Sequence, residues 1–127
     1  MLPQNVISWF QIATTDLARA AAFYSAILGN PVRIQEYNGV KMGFFPMAGG
    51  PESTDVGGAL IQMPDMAPGK SGTQVFLSCE GTIDAVLSRV EKAGGKIVHA
   101  KERIGEPGYF AFIEDTEGNM VGLHSRT

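Results

Sequence analysis

Short runs of alternating apolar and polar residues dominate this chain, and two stretches switch to helical spacing. Residues 6–12 alternate as a strand, with Phe10 and Ile12 on one face and Trp9 and Gln11 on the other. Thr14, Thr15 and Asp16 then supply an N-cap, and the stripe Leu17, Ala20, Ala21, Tyr24, Ile27, Leu28 predicts a helix over 17–28. Gly29 suits its left-handed C-cap, and Pro31 cannot continue it. Strands are expected at 32–37, 41–46 and 56–63, with Asn38-Gly39 as a hairpin turn between the first two and a loop at 47–55. Residues 63–72 are rich in Pro and Gly and read as a linker.

After the linker the order repeats. A strand at 73–79 precedes a helix capped by Thr82, striped by Ile83, Val86, Leu87 and Val90, and stopped by Gly94-Gly95. Strands follow at 96–103, 109–114 and 119–125, the last two joined by a turn at 115–119. Leu17 and Ile83, Ala20 and Val86, Ala21 and Leu87, Tyr24 and Val90, Gly29 and Gly95, and Val32 and Val98 all stand 66 positions apart, about half the chain. The prediction is one α+β domain over 1–127. It holds two βαβββ modules, at about 5–63 and about 73–125, joined by a linker at 64–72.

Composition narrows the function. The 127 residues are 44% apolar and 18% charged, a globular balance for one domain. A net charge of −3 without any Lys/Arg cluster argues against a nucleic-acid groove. A single cysteine excludes a disulfide framework and a cysteine-based zinc site. No apolar run approaches the ~20 residues of a membrane helix. No cationic stretch leads into an apolar one at the N-terminus, so no signal peptide is expected. A cytoplasmic protein without a nucleic-acid or membrane partner is the expectation.

Three motifs carry a family resemblance. They are Asp16-Leu17-x-Arg19 with Phe23-Tyr24 and Leu28-Gly29, Val86-Leu87-x-Arg89-Val90 with Ala93-Gly94-Gly95-Lys96, and Phe112-x-x-Asp115-x-x-Gly118-Asn119 with Gly122-Leu123. Together they span almost the whole chain. The chain resembles the vicinal oxygen chelate superfamily, which includes glyoxalase I, extradiol dioxygenases and bleomycin-resistance proteins. The resemblance implies curved mixed sheets that enclose a cleft, with the helices on the outer face. Such a fold hosts many reactions, so the site must be argued separately.

The resemblance also implies where a divalent metal would bind: one slot each on the first, fourth, fifth and eighth strands, filled by His, Gln or Glu. Here those slots fall on Trp9, Gln62, Gln74 or Val75, and Gly122. Trp9 and Gly122 offer no donor. On the fifth strand, Val75, Leu77 and Cys79 match the helix-facing set of Phe10 and Ile12, which puts Gln74 and Phe76 on the cleft face. Counting back from Asp84 at fixed spacing gives Val75 instead. No metal cofactor is therefore expected. A divalent metal on Gln11, Gln62, Gln74 and His124 is the alternative.

The remaining candidates follow from strand parity. Trp9 reads as a pocket wall for an organic ligand, or as filler of the space a metal leaves. Gln11, on the same face, is a hydrogen-bonding group for that ligand or a solvated side chain. Met120 and His124 share a face with Gly122, where His124 is a candidate general base or a solvated imidazole. His99 reads as a surface residue, Cys79 as a buried inert thiol, and Asp115 as a turn residue. Glu102, Glu106 and Glu114 form no convincing pair. Met42, Met63 and Met120 suit an adaptable apolar lining or the core. Neither Gly49-Gly50 nor Gly57-Gly58 makes a phosphate loop.

The expected function is thus that of a glyoxalase/bleomycin-resistance-like protein, metal-free and homodimeric. It takes a small apolar or aromatic molecule in the sheet cleft through Trp9, Gln11, Gln74, Phe76, Met120 and His124. The alternatives are a metal-dependent enzyme, either a glyoxalase-like lyase or a dioxygenase, and an interaction module without a ligand. No residue is assigned a catalytic role.

Overall fold

The computed structural model describes residues 1–50, 53, 55–106 and 108–127, so positions 51, 52 and 54 of the expected loop lie outside the described residues. The first half runs β1 (Trp9–Ala13), α1 (Leu17–Leu28), β2 (Arg33–Tyr37), β3 (Val40–Phe44) and β4 (Gly57–Ile61). The second runs β5 (Phe76–Ser78), α2 (Ile83–Val90), β6 (Lys96–Arg103), β7 (Tyr109–Glu114) and β8 (Met120–Ser125). The strands form two four-stranded sheets, ordered β1-β4-β3-β2 and β5-β8-β7-β6. In each, the first and last strands of the half pair in parallel and the rest pair antiparallel. The same order and hand of pairing in both halves is the structural form of the 66-residue repeat.

Local chemistry explains the element ends. The Asp16 side chain caps α1 by accepting from the Arg19 N–H at 3.0 Å. Gly29 ends that helix at φ 74°. Asn38 and Gly39 both take positive φ, as a two-residue hairpin of this hand demands. That turn fixes the pairs Tyr37–Val40, Gln35–Met42 and Arg33–Phe44. β1 starts at Trp9, later than alternation suggests, because its partner β4 begins opposite it at Gly57. Val6 and Ile7, which precede it, are exposed.

Each helix covers one face of a sheet, and the two helices touch each other. Ile12, Tyr24, Ile27, Leu60, Val86, Val90, Ile113 and Leu123 belong to one buried core shared by both halves. Val75, Leu77 and Cys79 turn toward that core, whereas Gln74, Phe76 and Ser78 are exposed. Phe23, absent from the predicted stripe, is buried as well. Its ring meets Tyr24 edge-on at 4.9 Å and lies where a side chain on Gly95 would have to go.

The β7–β8 turn reaches from the second half into the first. Asp115 accepts from the N–H groups of Glu117 and Asn119, as an Asx turn does, and also from the buried Tyr24 hydroxyl at 2.7 Å. Asn119 donates to the Ala13 carbonyl and accepts from the Gly69 N–H. Glu117 accepts from the N–H groups of Thr15 and Asp16 and forms a 2.8 Å ion pair with Arg19. The start of α1 is therefore satisfied by a residue at the far end of the fold.

Candidate functional site

On the first sheet, the face away from α1 is set by strand parity. Trp9 and Gln11 on β1 stand there, opposite the core-facing Ile12. Gly57 is paired with Trp9, and across the sheet Phe44 on β3 is paired with Arg33 on β2. This face opens into a cavity of about 690 Å³. Its apolar walls include Trp9, Phe44, Phe45, Met47 and Tyr37, and its polar groups include Arg33, Gln35 and Asp55. Trp9 and Phe44 lie 6.1 Å apart between ring centroids, and Tyr37 meets Phe44 edge-on at 5.6 Å. Trp9 remains 43% exposed, so part of its ring is open to an incoming molecule. A side chain on Gly57 would press on Met47 Sδ and on the Trp9 ring, so its absence lets those two lie close to the sheet.

The six residues expected to line one cleft divide between two sheets. Trp9 lines the cavity; Gln11 stands exposed on the same strand and is not part of its lining. Gln74, Phe76, Met120 and His124 belong to the second half. There Phe76 packs on Phe112 at 5.3 Å, and Phe112 on Phe110 at 5.7 Å. His99 stacks flat on Phe110 and its Nε2 hydrogen-bonds Glu102 at 2.8 Å. His124 is half-buried on β8, paired with Ser78 and Phe110 across the sheet. Cys79 is buried, which pushes its thiol up to about 11 and leaves it unreactive near neutral pH.

Sequence reasoning missed Arg33, Gln35, Tyr37 and Phe44. The signal was present: once Asn38-Gly39 fixes a two-residue hairpin, the register puts all four on one face. Met47 and Asp55 come from the loop that follows β3, where periodicity carries no information.

The sequence profile of the Glyoxalase/Bleomycin resistance protein/Dioxygenase superfamily matches residues 6–123. The chain belongs to this superfamily. Among curated proteins of known sequence it is similar to the glyoxylase candidate CFP32 of Mycobacterium bovis and of Mycobacterium tuberculosis. Each is 29% identical over 132 aligned positions, covering 94% of this chain and 45% of the relative. The chain thus spans about half the length of these relatives. Among solved structures it is similar to a glyoxalase/bleomycin resistance protein from Albidiferax ferrireducens T118, with a TM-score of 0.73 and 16% identity over 97% of this chain and 100% of that one. It is also similar to TnmS3, an antibiotic binding protein from Streptomyces sp. CB03234, with a TM-score of 0.69 and 19% identity over the full length of both. At these identities the likeness is one of fold.

The metal slots that superfamily resemblance implies do not fit an ion in this chain. Trp9 holds an indole packed near Phe44. Gln62 has its side-chain oxygen engaged by the Leu17 N–H at 2.9 Å, at the start of α1. Gly122 has no side chain, and the Phe76 ring occupies the space a Cβ would take. Among the described residues, no group of three His, Cys, Asp or Glu side chains is arranged to hold a metal ion. Among the described residues, no helix is long and apolar enough to cross a membrane.

Proposed function

We propose that this superfamily member binds a small apolar or aromatic molecule, without a metal, in the cavity on its first sheet. The carrying observation is the cavity of about 690 Å³ walled by Trp9, Phe44 and Tyr37. Ring faces with a few polar groups are the usual chemistry of a small-molecule site of this size. The antibiotic-binding description of TnmS3 agrees with this reading. The mycobacterial relatives described as glyoxylase candidates favour a second one, a glyoxalase-like lyase. That second reading needs a donor set other than the slots occupied here by Trp9 and Gly122.

Trp9 is the only tryptophan, so its emission reports on the cavity. Titration with 2-naphthamide is expected to change that emission. Trp9→Ala is expected to weaken binding of the same probe, measured by calorimetry, about tenfold. Because Trp9 is partly exposed, its loss costs little stability. Unchanged affinity in Trp9→Ala would refute the site.

A homodimer completes the proposal. Light scattering after gel filtration is expected to give twice the 13.6 kDa chain mass. A single-chain mass at micromolar concentration would refute it.

A further inference from the structure

The edge of the cavity formed by β2 differs in chemistry from its aromatic walls. Arg33, Gln35 and Tyr37 alternate along that strand and so share the cavity face. The Tyr37 hydroxyl donates to Gln35 Oε1 at 3.0 Å. That bond occupies the amide oxygen and leaves the Gln35 N–H pair as free donors. Arg33 adds a guanidinium, which only donates, and it takes part in none of the ion pairs among the described residues. The carboxylate in the lining, Asp55, lies on the loop after β3 rather than on β2, and its Oδ2 accepts from Ser53 Oγ at 3.3 Å. Next to these donors stand the rings of Phe44 and Trp9. One wall therefore favours a flat ring, and the adjoining edge favours a negatively charged acceptor.

We propose that the cavity selects flat aromatic molecules that carry a carboxylate, with the ring against Phe44 and Trp9 and the carboxylate on Arg33 and the Gln35 amide. This rests on the binding reading above and adds the charge of the ligand to it. Arg suits the role because its planar fork matches a carboxylate in two parallel hydrogen bonds.

The test uses two probes of one shape, 2-naphthoic acid and 2-naphthamide, titrated calorimetrically at neutral pH. The carboxylate is expected to bind about tenfold more tightly than the amide, since hydrogen bonds to a charged group are the stronger ones. This advantage is expected to shrink as salt is raised. Arg33→Met is expected to bring the ratio of the two affinities close to one, and Arg33→Lys to keep part of it. Gln35→Leu is expected to reduce the ratio less than Arg33→Met does. Equal affinity for both probes in the unmodified protein would overturn this proposal and leave the binding reading standing. So would an advantage that survives in Arg33→Met, or tighter binding of 2-naphthylmethylammonium, which would make Asp55 the deciding charge. Binding of none of the three probes would overturn the binding reading and this proposal together.

Discussion

Replacing Glu117 with Gln tests whether the β7–β8 turn holds the two halves together. Its carboxylate accepts six hydrogen bonds: from the Thr15 N–H and hydroxyl, the Asp16 N–H, two guanidinium nitrogens of Arg19, and the Thr116 hydroxyl. The side chain is completely shielded from solvent. Burial works to raise this carboxyl, but the Arg19 guanidinium, the Asp16 N–H, the Thr116 hydroxyl and the Thr15 N–H outweigh it and hold it down at about 2. Measured against an ordinary glutamate, that depression corresponds to about 3 kcal/mol of stability carried by the charged form. The six bonds share partners, so their separate contributions do not add beyond this scale. Glu117→Gln keeps the shape, loses the charge and turns a donor toward other donors. The expected cost is about 3 kcal/mol, or roughly 10–15 °C in Tm for a domain of this size. A carboxyl with a depressed folded-state pKa contributes fully above its ordinary pKa, and the contribution fades as pH falls toward the folded-state value. Scanning calorimetry is therefore expected to show a wide gap between the two proteins at neutral pH that narrows between 4.5 and about 2. A gap below ~2 °C at neutral pH, or one that persists unchanged at pH 2.5, would refute the reasoning.

Other outcomes follow from the same structure. Tyr24→Phe removes the buried hydroxyl that donates to Asp115, and is expected to lower stability by about 1–3 kcal/mol in a urea titration; an unchanged midpoint would deny that bond its role. Val86→Asp places an unpaired charge in the shared core at a cost of several kcal/mol, and should abolish the cooperative melt seen by circular dichroism. Exhaustive dialysis against EDTA is expected to leave Tm unchanged. An ion held at 100-fold over its Kd would contribute about 2.7 kcal/mol, so a drop of several degrees would revive a metal site.

Both helices and the strands were legible in outline, and Asp16 caps the first helix as expected, but Thr82 makes no side-chain cap bond, the second helix ends at Val90 before Gly94-Gly95, and the fifth strand is shorter than the expected 73–79. Gly29 and Asn38-Gly39 marked their turns through backbone chemistry alone. On the fifth strand parity favoured Val75, Leu77 and Cys79 as the core-facing set while the count back from Asp84 gave Val75 the cleft slot, and the structure turns those three toward the core. The site was less legible. Trp9 stood out as the lone indole on the face away from the core, yet the cavity it lines is completed by loop residues such as Met47 and Asp55, whose approach to the sheet has no periodic signature. Parity shows which face a residue takes but not which sheet lies beside it: Trp9 stands on the first sheet, and Phe76 and His124 on the second. Glu117 was overlooked for a related reason. Nothing local distinguishes a turn glutamate in solvent from one that caps a helix on the other half of the chain.

That cap has a consequence for how the chain acquires its structure. The N–H groups of Thr15 and Asp16 find their acceptor 102 and 101 residues later in the sequence. Synthesis at about 5–20 residues per second delivers α1 several seconds before that acceptor exists. Until then those two N–H groups are met only by water, although Asp16 and Gln62 already serve the Arg19 and Leu17 N–H groups, and the helix rests on the strands of its own half without α2 beside it. Closing so long a loop costs entropy before any contact repays it, which slows folding relative to a chain of local contacts. The repeat is written in two halves, but their core is shared, and the start of the first helix is completed only when a turn near the end of the sequence arrives.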